Sequence, residues 1–402
     1  MNKKEASLRK KRGETRRSFL KAAGVGTAAL AWQGAVARQG RVLRLAVVGG
    51  GFGAAHHWHE HPRCRITAVS DLVPERRRRL QERYRCRNAY RSLEEMLEKA
   101  AGTFDAVAIF TDAPSHAKHT VMCMKAGKHV VSACPVGLSL EELREVKRVK
   151  EETGLLYMMH ESSYYRQECI AARELYEAGA FGRLCYSEVE YYHPGIGRRN
   201  HSLSVWRGKR TWRWGFPPLL YPTHSLGLIV GVTKERIVKV SAYGEHVSPD
   251  FPGPQENSYG NPFDNEMALG FTDKGNICRF GVFWSVAAEG ERGQWLGEKL
   301  SCYMPSSGGQ PAAMKKSGRR WEPWRVPRYW ETDRLPPPLR HPSGHGGSSV
   351  FLCNEFIEAV LGEREPAVDV YESIAMTAPG IVAHASALKG GVQLSVPSFD
   401  PR

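Results

Sequence analysis

Val42-Leu-Arg-Leu-Ala-Val-Val-Gly-Gly-Gly-Phe-Gly-Ala-Ala-His56 decides how the rest of the chain is read. A β-branched apolar run leads straight into glycines at 49, 50, 51 and 53, and a helix-compatible segment follows. As G-x-G-x-x-G/A the stretch uses Gly49, Gly51 and Ala54, with Phe52 and Gly53 inside the turn. Gly49 permits the sharp exit from a strand, Gly51 leaves room for a pyrophosphate, and Ala54 lets a helix sit close on a sheet. The N-terminus of that helix would add unpaired N–H groups for the phosphates. A glycine fingerprint alone is weak, but Ile66-Thr-Ala-Val-Ser-Asp71 places a carboxylate 20 residues after Gly51. That is the position of a ribose-binding acid. Leu72 and Val73 follow it, with no adjacent arginine, so the reading is NAD rather than NADP.

Strand and helix alternate through residue 160, which implies a doubly wound parallel sheet. Phe104 to Thr111 is a buried strand, with Pro114 and His116 on the loop past its carboxyl end, where ligands of such sheets bind. Another strand runs from Gly127 into Cys134-Pro135, and Leu155 to His160 closes this half. Helices are expected over Pro74–Arg85, after Ser92, over Lys118–Ala126 and after Ser139. The chain therefore divides into residues 1–37, a Rossmann domain at 41–160 and a second α/β domain at 161–402. The second domain reads as α+β with a largely antiparallel open sheet. Its strands lie at 184–192, 237–243, 266–271 and 276–284, and Thr272-Asp-Lys-Gly275 forms a hairpin turn. Residues 305–347, rich in Gly, Pro and Arg, read as a long surface loop or lid. Helices at 355–361 and 371–388 close the fold, the latter kinked at Pro379.

The formal charge of +15 is concentrated at the start. Residues 1–37 hold nine of the Lys and Arg, and the remainder carries 48 basic and 40 acidic side chains. A balance of that size calls for no nucleic-acid partner. Thr15-Arg-Arg-Ser-Phe-Leu-Lys21 fits a twin-arginine signal, followed by a modest Ala/Gly segment and Ala35-Val-Ala37 as a cleavage site. The expectation is passage through the twin-arginine export machinery to the periplasm, with no stable membrane anchor. Folded export suits a protein that takes up a nucleotide in the cytoplasm. No nicotinamide pool is expected outside, which favours a retained cofactor. Nine cysteines without a C-x-x-C pair read as small buried residues. His57, Glu60 and His61 would share a helix face as metal ligands, but Pro62 ends that helix. Solvated or phosphate-adjacent histidines, and no metal, are the expectation.

The order of glycine turn, Asp71, Thr111-x-x-Pro114-x-His116, Ala126-Gly-Lys-His-Val130 and Cys134-Pro135 resembles the glucose-fructose oxidoreductase/inositol dehydrogenase/MocA (Gfo/Idh/MocA) family. Leu220-Tyr-Pro-Thr-His224, with Tyr164-Tyr165-Arg166 upstream, is similar to the branch of NAD-dependent glycoside hydrolases that includes α-N-acetylgalactosaminidases. The resemblance implies NAD held by Gly49, Gly51, Phe52, Gly53, Ala54, Asp71, Thr111, Pro114, His116, Cys134 and Pro135. It also implies hydride transfer at a secondary alcohol of a sugar, and it suggests a homo-oligomer. Two departures stand out. Ala133-Cys134-Pro135 replaces the usual Glu-Lys-Pro, and Leu220 stands where the family has an aspartate.

With the lysine absent, His224 is the candidate base, and Glu161, Tyr164 and Tyr165 are candidates to orient the sugar or relay its proton. Cys134 reads as space-filling. Arg198 to Trp214 interleaves arginines with tryptophans and reads as a sugar platform, a rim beside an acidic glycan or a plain surface loop. Three functions remain open: an NAD-dependent sugar oxidoreductase, placed first; an exported glycosidase using retained NAD with no net redox change; and a non-catalytic nucleotide- or sugar-binding module.

Overall fold

The computed structural model describes residues 40–306 and 308–401. The twin-arginine segment lies outside the described residues. The first sheet contains β1 (Leu43–Val48), β2 (Cys64–Ser70), β3 (Ala89–Tyr90), β4 (Ala106–Ile109), β5 (His129–Ser132) and β6 (Tyr157–Met159). All its pairings are parallel, in the order β3-β2-β1-β4-β5-β6. β4 and β6 are buried at every residue and β1 at all but Arg44, as strands covered on both faces must be. The strand order reverses between β1 and β4, which opens a crevice at their carboxyl ends. The expected helices form at Pro74–Tyr84, Leu93–Ala100, His116–Lys125 and Leu140–Thr153. Ser92 Oγ accepts from the Glu95 N–H, and Ser139 with Glu142 forms a full capping box.

One expectation fails next to the decisive turn. No α-helix follows β1; the chain makes two 3₁₀ turns, Gly53–Ala55 and Trp58–Glu60. Trp58 is fully buried, and the His56 ring stacks on Phe110 at 4.2 Å. Those anchors, with Pro62 just beyond, leave no length for a regular helix. No α-helix N-terminus therefore faces the turn, and the Gly49, Gly50 and Gly53 N–H groups are bonded to Ser70, Asp71 and Gly49.

The second sheet has nine strands. They are β7 (Leu184–Tyr192), β10 (Ile237–Glu245), β11 (Asn265–Thr272), β12 (Ile277–Phe283), β13 (Gly290–Gly297), β14 (Leu300–Tyr303), β15 (Ala313–Lys316), β16 (Glu322–Pro323) and β17 (Leu394–Ser395). Pairing is antiparallel except between β7 and β12. β8 (Val205–Trp206) and β9 (Lys209–Arg210) form a separate ribbon. Residues 305–347 are not a plain surface loop. They supply β15 and β16, and they bury Trp324, Tyr329 and Leu339. The helix Gly344–Gly362 begins with three left-handed residues, His345, Gly346 and Gly347. The helix Val370–Ala387 runs through Pro379. All nine cysteines are free thiols, and among the described residues no helix is long and apolar enough to cross a membrane.

Candidate active site

The carboxyl edge of the parallel sheet gathers the chemistry. Gly49 follows β1, Thr111 lies just past β4, Cys134 follows β5 and Glu161 follows β6. The helix Thr223–Thr233, buried along its whole length, brings His224 to the same place. It can approach because of two glycines. A Cβ on Gly227 would lie 3.2 Å from Ser163 Cβ, and one on Gly231 would lie 3.0 Å from the Tyr164 ring.

His224 Nδ1 sits 2.7 Å from Glu161 Oε1, which also accepts the Ser163 N–H at 2.8 Å. Burial disfavours both charges. For Glu161 the opposing charge and hydrogen bond of His224 win, holding the carboxyl down at about 2. For His224 burial pulls down, while Glu161 and the Cys134 contact raise the imidazole well above its ordinary value. The pair is thus an imidazolium and a carboxylate at neutral pH. Cys134 Sγ lies 3.9 Å from His224 Nε2 and donates a hydrogen bond to the Tyr221 hydroxyl oxygen at 3.6 Å. The rings of Tyr191 and Tyr221 flank His224 at 4.6 and 5.3 Å. Burial pushes the Tyr191 phenol up to about 12, so it stays a neutral donor. Arg166 makes a two-pronged ion pair with buried Glu291, at 2.7 and 3.1 Å.

The sequence reading of His224 and Glu161 converges here; that of Tyr164 and Tyr165 does not. The 3₁₀ turn Ser162–Tyr165 points both rings into packing. The Tyr164 hydroxyl receives a hydrogen bond from Lys234 Nζ at 2.8 Å, and its ring lies under the Arg173 guanidinium at 3.9 Å. Tyr165 stacks on Phe351 at 5.7 Å. The tyrosines beside His224 are Tyr191 and Tyr221. Tyr221 lay within the quoted Tyr-Pro-Thr-His motif, while Tyr191 was hidden in a strand pattern. Cys134, read as space-filling, touches the imidazole. Its partner lies 90 residues away in sequence and could not be read from spacing. His345 was missed inside a stretch read as loop, although its charge is felt by His160 and it in turn feels His224, Glu291, Arg166 and Glu161.

On the nucleotide side, Gly49 has φ +95°, and a Cβ there would come 2.2 Å from the Phe110 carbonyl oxygen. A Cβ on Gly51 would make only an ordinary van der Waals contact with the Arg76 guanidinium at 3.7 Å, so that position has room for a methyl. Asp71 accepts the Gly50 N–H at 2.6 Å and the Val73 N–H at 2.7 Å, which fixes its carboxylate at the turn. Phe52 is exposed, and Gly53 and Ala54 are buried beneath it. His116 is buried and braces two loops: Nδ1 is 2.8 Å from the Pro135 oxygen and Nε2 is 3.2 Å from the Thr111 oxygen. Pro114 lies in the 3₁₀ turn before it, and Thr111 Oγ1 bonds the His119 ring. An open cradle with a fixed acid at its rim fits a dinucleotide. Of the two alternatives for the cluster, solvated or phosphate-adjacent, the first does not hold for His56 and His61, which are buried. Two groups have metal-ligand spacing: Cys134, Glu161 and His224, and separately His57, Glu60 and His341. His61 faces Glu358 and takes no part.

Residues 43–161 match the oxidoreductase family described as having an NAD-binding Rossmann fold (GFO_IDH_MocA). Over those residues the chain is similar to the Gfo/Idh/MocA family. Residues 287–401 match the C-terminal domain of glycosyl hydrolase family 109. A Glycosyl hydrolase family 109 protein of Streptomyces filamentosus is 25% identical over 324 residues, spanning 74% of this chain and 63% of its own. The match thus covers less than two thirds of that relative. An α-N-acetylgalactosaminidase of Shewanella oneidensis is 31% identical over 139 residues, 34% of this chain and 29% of its own. Levoglucosan dehydrogenase, solved with NADH and levoglucosan, shares the fold at a TM-score of 0.72 and 16% identity, covering 89% of this chain and all of that one.

Proposed function

We propose that this protein cleaves glycosides with a retained NAD, ending with no net redox change. The observation that carries this reading is the buried Glu161–His224 pair with Cys134 and Tyr221, assembled at the carboxyl edge of the nucleotide-binding sheet. The family 109 match over residues 287–401 supports the glycosidic rather than the purely oxidative outcome. NAD on the glycine turn would supply reversible hydride exchange with a sugar CH–OH. The chain's own contribution is proton management. His224 holds a proton on Nε2, and Glu161 at Nδ1 fixes the ring and supports its charge. The imidazolium can give that proton to a departing oxygen, and only its neutral form can take the hydroxyl proton released when hydride leaves the sugar CH–OH, so the dyad must shed its Nε2 proton before the oxidation step. Tyr221 and Tyr191 keep their protons and offer donors to sugar oxygens, while the rings beside His224 exclude water.

A net sugar dehydrogenase is the second reading, favoured by the match over residues 43–161. Release of nitrophenol from aryl glycosides without NADH formation tests between the two.

Contacts near the glycine turn support retention of the cofactor. The β8–β9 ribbon leans on the helix Pro74–Tyr84 that lies beside that turn: Arg207 Nη2 is 3.4 Å from Glu75, and Arg76 lies over Trp206 at 4.4 Å. Trp206→Ala is expected to speed NAD release about tenfold without unfolding the protein, as read by fluorescence after dilution or by dialysis. We also propose export by the twin-arginine route and a dimer through the open face of the second sheet. Leu269, Phe271 and Ile277 stand exposed on that face. Leu269→Glu is expected to give a monomer by light scattering, and a dimeric variant would contradict that interface.

A further inference from the structure

The loop following β7 carries positive groups toward the dyad with nothing to neutralise them. Arg213 is half-buried, stacked on Trp212 at 4.2 Å and poised over the Tyr221 ring at 5.5 Å. Tyr221 is the residue that touches Cys134 and flanks His224. Around it stand His193, whose ring lies 6.1 Å from Tyr191, and His201, 6.2 Å from His193. His201 is seated against Gly195, where a Cβ would come 2.4 Å from its ring. Arg198 completes the group.

Among the described residues neither Arg213 nor Arg198 has a carboxylate within ion-pair distance, while neighbouring Arg199 is paired with Glu256 at 2.5 Å. Arg198 Nε and His193 Nδ1 are buried atoms without a hydrogen-bond partner. Buried polar atoms without partners call for an explanation, and a ligand anion supplies one. The surrounding potential agrees. Burial, then Arg213 and His201, push His193 down to about 4, and burial with Arg213 and Arg198 lowers His201. Glu291, which feels the charge of His224, is already claimed by Arg166.

We propose that Arg213, Arg198, His193 and His201 form an anion subsite beside the dyad, so that the substrate is a sugar bearing a carboxylate or sulfate. Arg213 presents the planar fork that recognises either group through two parallel hydrogen bonds. Its stacking on Trp212 and Tyr221 holds that fork in place without competing carboxylates. The inference rests on the proposed glycoside-acting site, but it can be tested without turnover. The probes are glucuronate, galacturonate and the 6-sulfates of N-acetylglucosamine and N-acetylgalactosamine, each compared with its neutral parent. Binding is followed by calorimetry on the NAD-loaded protein at low salt.

At least one acid is expected to bind ten times or more tightly than its parent, and the margin should shrink as salt rises. Arg213→Met is expected to reduce the margin to threefold or less, and Arg198→Met to reduce it partially. Circular dichroism and retained NAD confirm that each variant is folded. Equal binding of acids and parents, or no acid binding at all, overturns the subsite. A persistent acid preference in Arg213→Met overturns the role of that residue. If acids bind but no glycoside is cleaved, the subsite stands and the glycosidase reading falls. If only neutral glycosides bind and turn over, the reverse holds.

Discussion

His224→Gln is expected to lower kcat/KM on a cleaved glycoside by about 10³–10⁴, the range of a lost acid–base group with its partner. Glu161→Gln is expected to fall close to it, because the two side chains act as one unit. Stability separates the single and double variants. Removing either partner leaves the other in a fully buried site and should cost about 3–5 kcal/mol. The double variant His224→Gln/Glu161→Gln should recover much of that stability and none of the activity. A double variant as unstable as either single one would mean that the pair does not hold opposite charges.

The same pair sets a pH window. The His224 value is raised above its ordinary 6.5, so its contribution is full below 6.5 and is lost as pH rises through the raised value. The Glu161 value is lowered, so its contribution is full above 4.5 and is lost as pH falls toward about 2. Stability from the pair is therefore greatest between 4.5 and 6.5. The proton-donating limb of the rate profile should extend well above 6.5, as a profile of kcat/KM against pH would show.

The second large effect lies at the glycine turn, where two neighbouring positions should behave oppositely. Gly49→Ala forces an L-residue to φ +95° and drives a methyl into the Phe110 carbonyl. A loss of about 3 kcal/mol or more is expected, because the strain adds to a backbone displacement. Gly51→Ala makes only an ordinary contact with Arg76, so the NAD-free protein should be unchanged or firmer by about 0.4–1 kcal/mol. Its methyl would occupy the approach of the pyrophosphate, and NAD affinity should fall by about 10- to 100-fold. Thermal unfolding with and without NAD reads both. A Gly51→Ala protein that binds NAD normally would mean that the nucleotide does not cross this turn.

The fold was legible because its signals are local. β1 and its glycines, Asp71 at the end of β2 and the capping residues Ser92 and Ser139 each announce themselves within a few positions. The absent α-helix after β1 was not legible, since burial of Trp58 and stacking of His56 on Phe110 are tertiary events that override a helix-compatible composition. The site was half legible. His224 could be found from its motif and Glu161 from its place after the last strand. Tyr164 and Tyr165, adjacent to Glu161 in sequence, are carried away by one 3₁₀ turn. Tyr191 and Cys134 reach His224 only because β7, β5 and the helix Thr223–Thr233 meet in space. His345 sits in a run of Gly and Pro whose composition looks like loop, and its backbone is left-handed.

The central claim is a glycosidase built on a retained nicotinamide cofactor. The most direct test uses protein purified without added nucleotide, denatured to release and quantify its cofactor, then assayed in native form on neutral and acidic aryl glycosides. Near-stoichiometric NAD, aglycone release and no accumulation of NADH are expected. NADH rising in step with product would instead establish a dehydrogenase, and protein that neither carries nor binds NAD would contradict the account outright.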